Sequence, residues 1–80
     1  MKRDIEWAKK GLEDLDRLEQ INAKRILRKI NTLKEFISSD IKRLAGSNSF
    51  RLRVGNYRII FEIDGRIINI LRIGHRKNIY

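Results

Sequence analysis

Cysteine and proline are both absent from these 80 residues. Without Cys there are no disulfides, no thiolate metal sites and no cysteine nucleophile. The absence also fits a reducing compartment, so a cytoplasmic protein is expected. A single histidine, His75, excludes a His-rich metal centre, and no metal or cofactor is expected. No apolar run approaches the roughly 18 residues of a membrane span. The opening Met1–Lys10 stretch lacks the apolar region of a secretory signal, so no membrane partner is expected. Acidic residues are scarce in the second half: residues 41–80 carry nine Lys/Arg against two Asp/Glu, whereas residues 1–40 carry ten against eight. The net charge of +9 is therefore concentrated in the second half. Phosphate backbones are the commonest targets of such a field, ahead of anionic membranes and acidic proteins.

The hydrophobic content is 41% and the charged content 36%, with charges interspersed among Ile and Leu rather than massed in a tail. That pattern argues for a folded chain, and its length for one domain spanning 1–80. Such a domain buries only roughly 60% of its unfolded surface and has little stability to spare. The first half reads as helical after a short alternating segment, Asp4 to Trp7. Ala8, Leu12, Leu15 and Leu18 recur on one helix face, weakened by Gly11. Gln20-Ile21-Asn22 reads as a break with Asn22 as N-cap. A second helix follows with Ile26, Ile30, Leu33 and Ile37 as its stripe and Lys24, Arg25, Arg28 and Lys29 opposite. Ser38-Ser39-Asp40 ends it, and Ile41 to Ala45 leads to Gly46.

After Gly46 the period becomes two. Phe50, Leu52 and Val54 alternate with Arg51 and Arg53, then Tyr57, Ile59, Phe61 and Ile63 alternate again after Gly55-Asn56. Asp64-Gly65 carries the strongest hairpin signal, read as a type I′ turn, and Ile67 to Ile73 form a third strand. If Gly55-Asn56 is a two-residue loop, Val54 pairs with Tyr57, Leu52 with Ile59 and Phe50 with Phe61, all on one face. Arg53 and Arg58 then stand directly opposite each other on the other face, with Arg51 one step along. Opposed like charges are destabilising, so an anionic partner is expected there. The second hairpin is open. A two-residue Asp64-Gly65 loop puts Arg72 on the helix face, whereas a three-residue loop puts it beside Arg58 and keeps the core drier.

No phosphate loop, dinucleotide fingerprint or Ser/His/Asp order is present. What remains is Arg51, Arg53, Arg58, Arg76 and Tyr80, with His75 and Lys77 nearby. The run from Phe50 through Arg-Val-Gly-Asn-Tyr-Arg to Asp64, with Ile73-Gly-His-Arg76 and the final Ile79-Tyr80, resembles the RelE/ParE toxin superfamily. The likeness extends over nearly the whole chain. It implies an α+β fold: a short N-terminal strand, then an antiparallel helical hairpin packed on a curved antiparallel β-sheet. It also implies the toxic half of a type II toxin–antitoxin pair, inhibited by a cognate antitoxin through an acidic, amphipathic segment. RelE-like members cut mRNA in the ribosomal A site without metal, and ParE-like members poison DNA gyrase. The basic cluster and the terminal tyrosine favour the RelE side. Two departures stand out: the chain stops at Tyr80, where many relatives continue, and Arg51 and Arg53 stand where relatives often have Lys.

Metal-free RNA cleavage sets the 2′-OH against the adjacent phosphate, so the enzyme must orient the attack, move two protons and neutralise a pentacoordinate transition state. Arginines supply the charge term. Arg58 and Arg76 are the first catalytic candidates, with Arg53 and Tyr80. Arg51, Arg53, Arg72 and Lys77 are expected to grip RNA phosphates. Histidine is the residue type suited to acid/base work near neutrality, so His75 is the acid/base candidate, beside the plainer reading of a structural or solvated histidine. The arginine face is alternatively a solvated one, Arg76 a partner of the chain terminus, and Lys24, Arg25, Arg28 and Lys29 a solvated helix face or a ribosomal RNA contact. A gyrase inhibitor and a non-catalytic RNA-binding module are the competing functions.

Overall fold

The computed structural model describes residues 3–35, 41–44 and 48–75. The expected places of Ile37, Ser38-Ser39-Asp40, Gly46, Arg76, Lys77 and Tyr80 lie outside these. The described elements are β1 (Asp4–Trp7), α1 (Lys9–Asp16), α2 (Gln20–Thr32), β2 (Ile41–Arg43), β3 (Ser49–Val54), β4 (Tyr57–Asp64) and β5 (Ile67–His75). The five strands form one sheet in the order β1-β5-β4-β3-β2. The α+β architecture agrees with the expectation, with one correction: the sheet is mixed, because β1 runs parallel to β5. A second correction is β2, expected as a linker. Its three residues pair with β3, Ile41 opposite Leu52 and Arg43 opposite Phe50.

The β3–β4 hairpin has the register that alternation and the Gly55-Asn56 loop require: Val54↔Tyr57, Arg53↔Arg58, Leu52↔Ile59 and Phe50↔Phe61. The Phe50 and Phe61 rings stack at 5.6 Å. The core lies between α2 and this face of the sheet, where Ile26, Ile30 and Leu33 meet Leu52, Ile59, Phe61, Ile68, Ile70 and Ile73.

Both hairpin turns place glycine first. Gly55 has φ +58° and Gly65 φ +60°, and no described non-glycine residue has positive φ. The turns therefore follow the type II′ pattern rather than I′. The second turn is Gly65-Arg66, one residue later than expected, with Asp64 opposite Ile67. The strands stay in that register as far as Phe61↔Ile70. Then Ile60 faces Arg72, leaving Leu71 as the extra residue of a bulge. Neither expected loop occurs, yet the bulge takes Arg72 off the core-facing row.

The helices carry two further corrections. Asn22 does not cap α2. The helix starts at Gln20 after Glu19, and Asn22 Nδ2 instead donates to the Tyr57 hydroxyl at 3.3 Å, tying the helix start to β4. In α1, Leu12 is 47% exposed, while Gly11 is buried and Leu15 and Leu18 pack against the core. Beyond Trp7↔Ile70 strand β1 has ended, and α1 takes its place along β5. Ala8 N donates to Ile70 O at 2.9 Å. A Cβ on Gly11 would lie 2.6 Å from Ile70 O and 3.2 Å from Leu71 O.

This close approach outweighs helix propensity. Gly11→Ala removes a propensity cost of about 1 kcal/mol but forces the helix off the strand, at about 1–3 kcal/mol for overpacking. The expected net result is a thermal midpoint several degrees lower (roughly 4–8 °C per kcal/mol at this size). A midpoint equal to or above that of the parent would show that α1 does not bear on β5 here.

Candidate nucleic-acid interface

The sheet face turned away from the core is built by parity. Arg53 and Arg58 are direct cross-strand partners, and Gly74 continues their row on β5. The next row runs Lys42, Arg51, Ile60 and Arg72 across four strands. Two guanidinium groups and an ammonium thus share a row with one half-buried isoleucine, and Arg53 and Arg58 stand in the row beside it. Arg51 Nε is buried with no hydrogen-bond acceptor among the described residues. The face changes sign along the strands. Glu62 and Glu6 share a row through Asn69, and Asp64 and Asp4 share one through Ile67. Carboxylates therefore gather at the β4–β5 turn end and cations at the β3–β4 turn end.

Of the sequence-nominated residues, Arg51, Arg53, Arg58 and Arg72 come together on this face. Arg76, Lys77 and Tyr80 fall outside the described residues. His75 lies off this face in the Tyr57 row, although it lines one cleft together with Arg72. It lies opposite Tyr57, whose ring it meets edge-on at 5.6 Å. Tyr57 itself packs against the core. A cleft of about 430 Å³ runs along the end of β5, between Arg17 and Leu18 on one side and Ile60, Gly74 and His75 on the other.

Arg72 is tied down. Its Nε donates to Asp14 Oδ2 at 2.8 Å, and the same oxygen accepts from the Ile73 N–H at 2.9 Å. Sequence reasoning overlooked Asp14, because nothing local in α1 marks it as a partner for a strand 58 residues away. Its side chain is only 11% exposed. Burial alone would push the carboxyl up. The hydrogen bonds from Arg72 and Ile73, with the charges of Arg72 and Arg17, outweigh that and hold it below its ordinary value. The guanidinium of Arg72 is in turn raised by its hydrogen bond to Asp14.

The fold is that of a small toxin of the RelE/ParE superfamily. A family profile described as "ParE toxin of type II toxin-antitoxin system, parDE" matches residues 5–80. The chain belongs to this family. It is 38% identical to putative toxin RelE1 of Methanocaldococcus jannaschii, over 100% of this chain and 97% of that protein. It is 47% identical to toxin RelE3 of the same organism over 62% of this chain, a match that spans 57% of RelE3's own length. Among solved structures, the RelB–RelE antitoxin–toxin complex from Methanococcus jannaschii superposes with a TM-score of 0.78 at 38% identity, covering 94% of each chain. The archaeal RelE–RelB complex from Pyrococcus horikoshii shares the fold, with a TM-score of 0.82 at 23% identity over 98% of this chain and 99% of that one.

The depressed Asp14 carboxyl links stability to pH. Its folded pKa lies below the ordinary 3.8, so its contribution is full above that value and is lost as pH falls through the folded pKa. Asp14→Asn keeps the side-chain size and weakens the bonds at the β5 edge. It is expected to cost about 1.5 kcal/mol at neutral pH, the low end for a hydrogen bond to a charged group. Its stability curve should fall less steeply than the parent's below about pH 4. Parallel curves from chemical denaturation across that range would disprove the linkage.

Proposed function

We propose that this toxin is a metal-independent endoribonuclease that cuts mRNA in the ribosomal A site. The observation that carries the reading is the Arg53–Arg58 cross-strand pair, with Arg51 in the adjoining row of the same face. Two guanidinium groups set directly opposite each other repel, and an anion placed between them is favoured. A phosphodiester bridging them turns that repulsion into binding. In the reaction the substrate 2′-oxygen bonds to phosphorus and the bond to the 5′-oxygen breaks. The 2′ proton is taken away and the leaving 5′-oxygen gains one, giving a 2′,3′-cyclic phosphate and a 5′-hydroxyl. Arg58 and Arg76 act on the phosphate as its charge builds, and Arg51 and Arg53 hold the flanking backbone. Arg72, Lys77, Tyr80 and His75 complete the nominated set. Tyr80 stacks on a base or orients the 2′-OH.

The partner in the resting state is a cognate antitoxin. The relatives solved as RelB–RelE complexes support this. The chemistry here calls for an acidic, amphipathic segment: carboxylates for the arginine face, and apolar residues for exposed Leu12, Ile21 and Leu27. The name of the matched family keeps a gyrase-poisoning reading in play as the alternative.

Ribosomes programmed with a defined mRNA test the proposal by mapping transcript ends. The parent chain is expected to cut within the A-site codon, and the Arg58→Ala, Arg76→Ala double variant to lose about 100-fold or more in rate. Equal cutting by the double variant, or no cut by the parent, sinks the nuclease. Gyrase-dependent DNA breaks with intact mRNA would select the alternative.

A further inference from the structure

Around the tip of the β3–β4 hairpin from the arginine face, α2 and the Gly55 turn enclose a cleft of about 540 Å³. Arg25, Arg28 and Lys29 of α2 line one wall and Arg53 with Val54 and Gly55 the other. Among the described residues, no carboxylate lines it. Arg25, Arg28 and Arg53 form no ion pair with another described residue, so three guanidinium groups converge on the cleft with no internal counter-charge. Gly55 helps build it, since a Cβ there would sit 3.3 Å from Arg25 Nη2. The helix rise spreads Arg25 to Thr32 over about 10 Å, longer than a single small anion. Arg53 belongs both to this cleft and to the Arg53–Arg58 row of the outer face. The cationic surface is therefore continuous from α2, round the turn, onto the sheet.

We propose that this cleft is a second phosphodiester-binding site, which holds an RNA backbone at a distance from the outer sheet face and takes no part in bond cleavage. Guanidinium forks suit phosphate oxygens pairwise, and an extended polyanion is the ligand that meets α2 and Arg53 together. The choice of RNA rather than another polyanion rests on the nuclease reading, but the site itself does not.

Binding is measured by fluorescence anisotropy on the full chain, with a labelled 2′-O-methyl RNA of roughly 12 nucleotides. This probe has no free 2′-OH and cannot be cut, so the readout is independent of any nuclease activity. The double variant R25E/R28E is compared with K9E/K10E, which makes the same charge change at exposed positions of α1. R25E/R28E is expected to weaken binding at least about tenfold more than K9E/K10E. It should also lower the slope of log K against log salt by about 1.4, at about 0.7 per single-strand phosphate contact. Far-UV circular dichroism confirms that both variants are folded. Equal losses and equal slopes in the two variants overturn the proposal. So does an oligoglutamate of matched charge that binds as tightly as the RNA and shows the same R25E/R28E loss, since the cleft would then be a carboxylate site. If the transcript-mapping experiment fails while these results hold, the cleft stands and the nuclease reading falls.

Discussion

A two-residue turn at Gly55-Asn56 is the constraint on which the rest of this molecule depends. Because side chains alternate along a strand, fixing one cross-strand pair fixes all of them. Val54↔Tyr57 commits Leu52, Ile59 and Phe61 to the core and Arg51, Arg53 and Arg58 to the opposite face. A one-residue slip of β3 would turn Arg51 and Arg53 toward the core and Phe50 and Leu52 out of it, so the hydrophobic core enforces the cation cluster. The same glycine also leaves room for Arg25 to lie over the turn. One backbone conformation thus sets the core, the outer cation face and the cleft beside α2.

The far side of the sheet is organised by how α1 meets β5. The strand needs cover for backbone groups that β1 no longer reaches. Gly11 gives up helix propensity so that the helix can touch the strand, and Asp14 satisfies the Ile73 N–H. That carboxylate also captures Arg72, so Arg72 differs in kind from its row-mate Arg51. Arg51 has a buried donor with no acceptor among the described residues, whereas Arg72 already has a carboxylate partner. The sequence pattern groups the two, and only the long-range contact with α1 separates them. The bulge at Leu71 makes the arrangement possible by lifting Arg72 out of the core-facing register.

What could be read from the sequence was whatever local alternation dictates. Both long hairpin strands, their faces and the Arg53–Arg58 opposition follow from period two and one glycine. The features missed are those decided by distant partners. Strand β2 has three residues, two of them charged, and is a strand only because β3 offers a free edge. The parallel pairing of β1 requires a crossover through both helices that no local pattern announces. Leu12 matched the helical stripe, but the contact is made one residue earlier, where only glycine fits. Asn22 looked like a cap and instead reaches Tyr57. In Asp64-Gly65 the asparagine-like residue drew the turn one position too early, because a turn with glycine first needs only one positive φ. Of the nominated residues, the placement of the β3 and β4 arginines was legible and that of His75 was not. Its opposition to Tyr57 follows from the bulge, which shifts the second register away from any simple loop count.

The chemical character of the arginine face also limits what it does. Guanidinium groups remain protonated at any physiological pH, so Arg51, Arg53 and Arg58 can bind, orient and neutralise but cannot carry a proton. The carboxylates of the same face, Glu6, Glu62, Asp4 and Asp64, gather at the opposite turn end. Glu62 lies four residues along β4 from Arg58, which at about 3.3 Å per residue is roughly 13 Å, beyond direct reach of a phosphate held by Arg58. Asp14 is held ionised by Arg72 and Ile73, so it makes a poor acid. On the nuclease reading, the proton transfers therefore belong to His75, to side chains past it, or to the RNA and its surroundings. The described sheet then supplies geometry and charge. Such a division suits a fold this small. Fixed cations on paired strands are preorganised by the hairpin and need no rearrangement as negative charge builds on the phosphate, whereas a titrating group would need its own shielded pocket, and a domain with a single thin core has little volume to provide one.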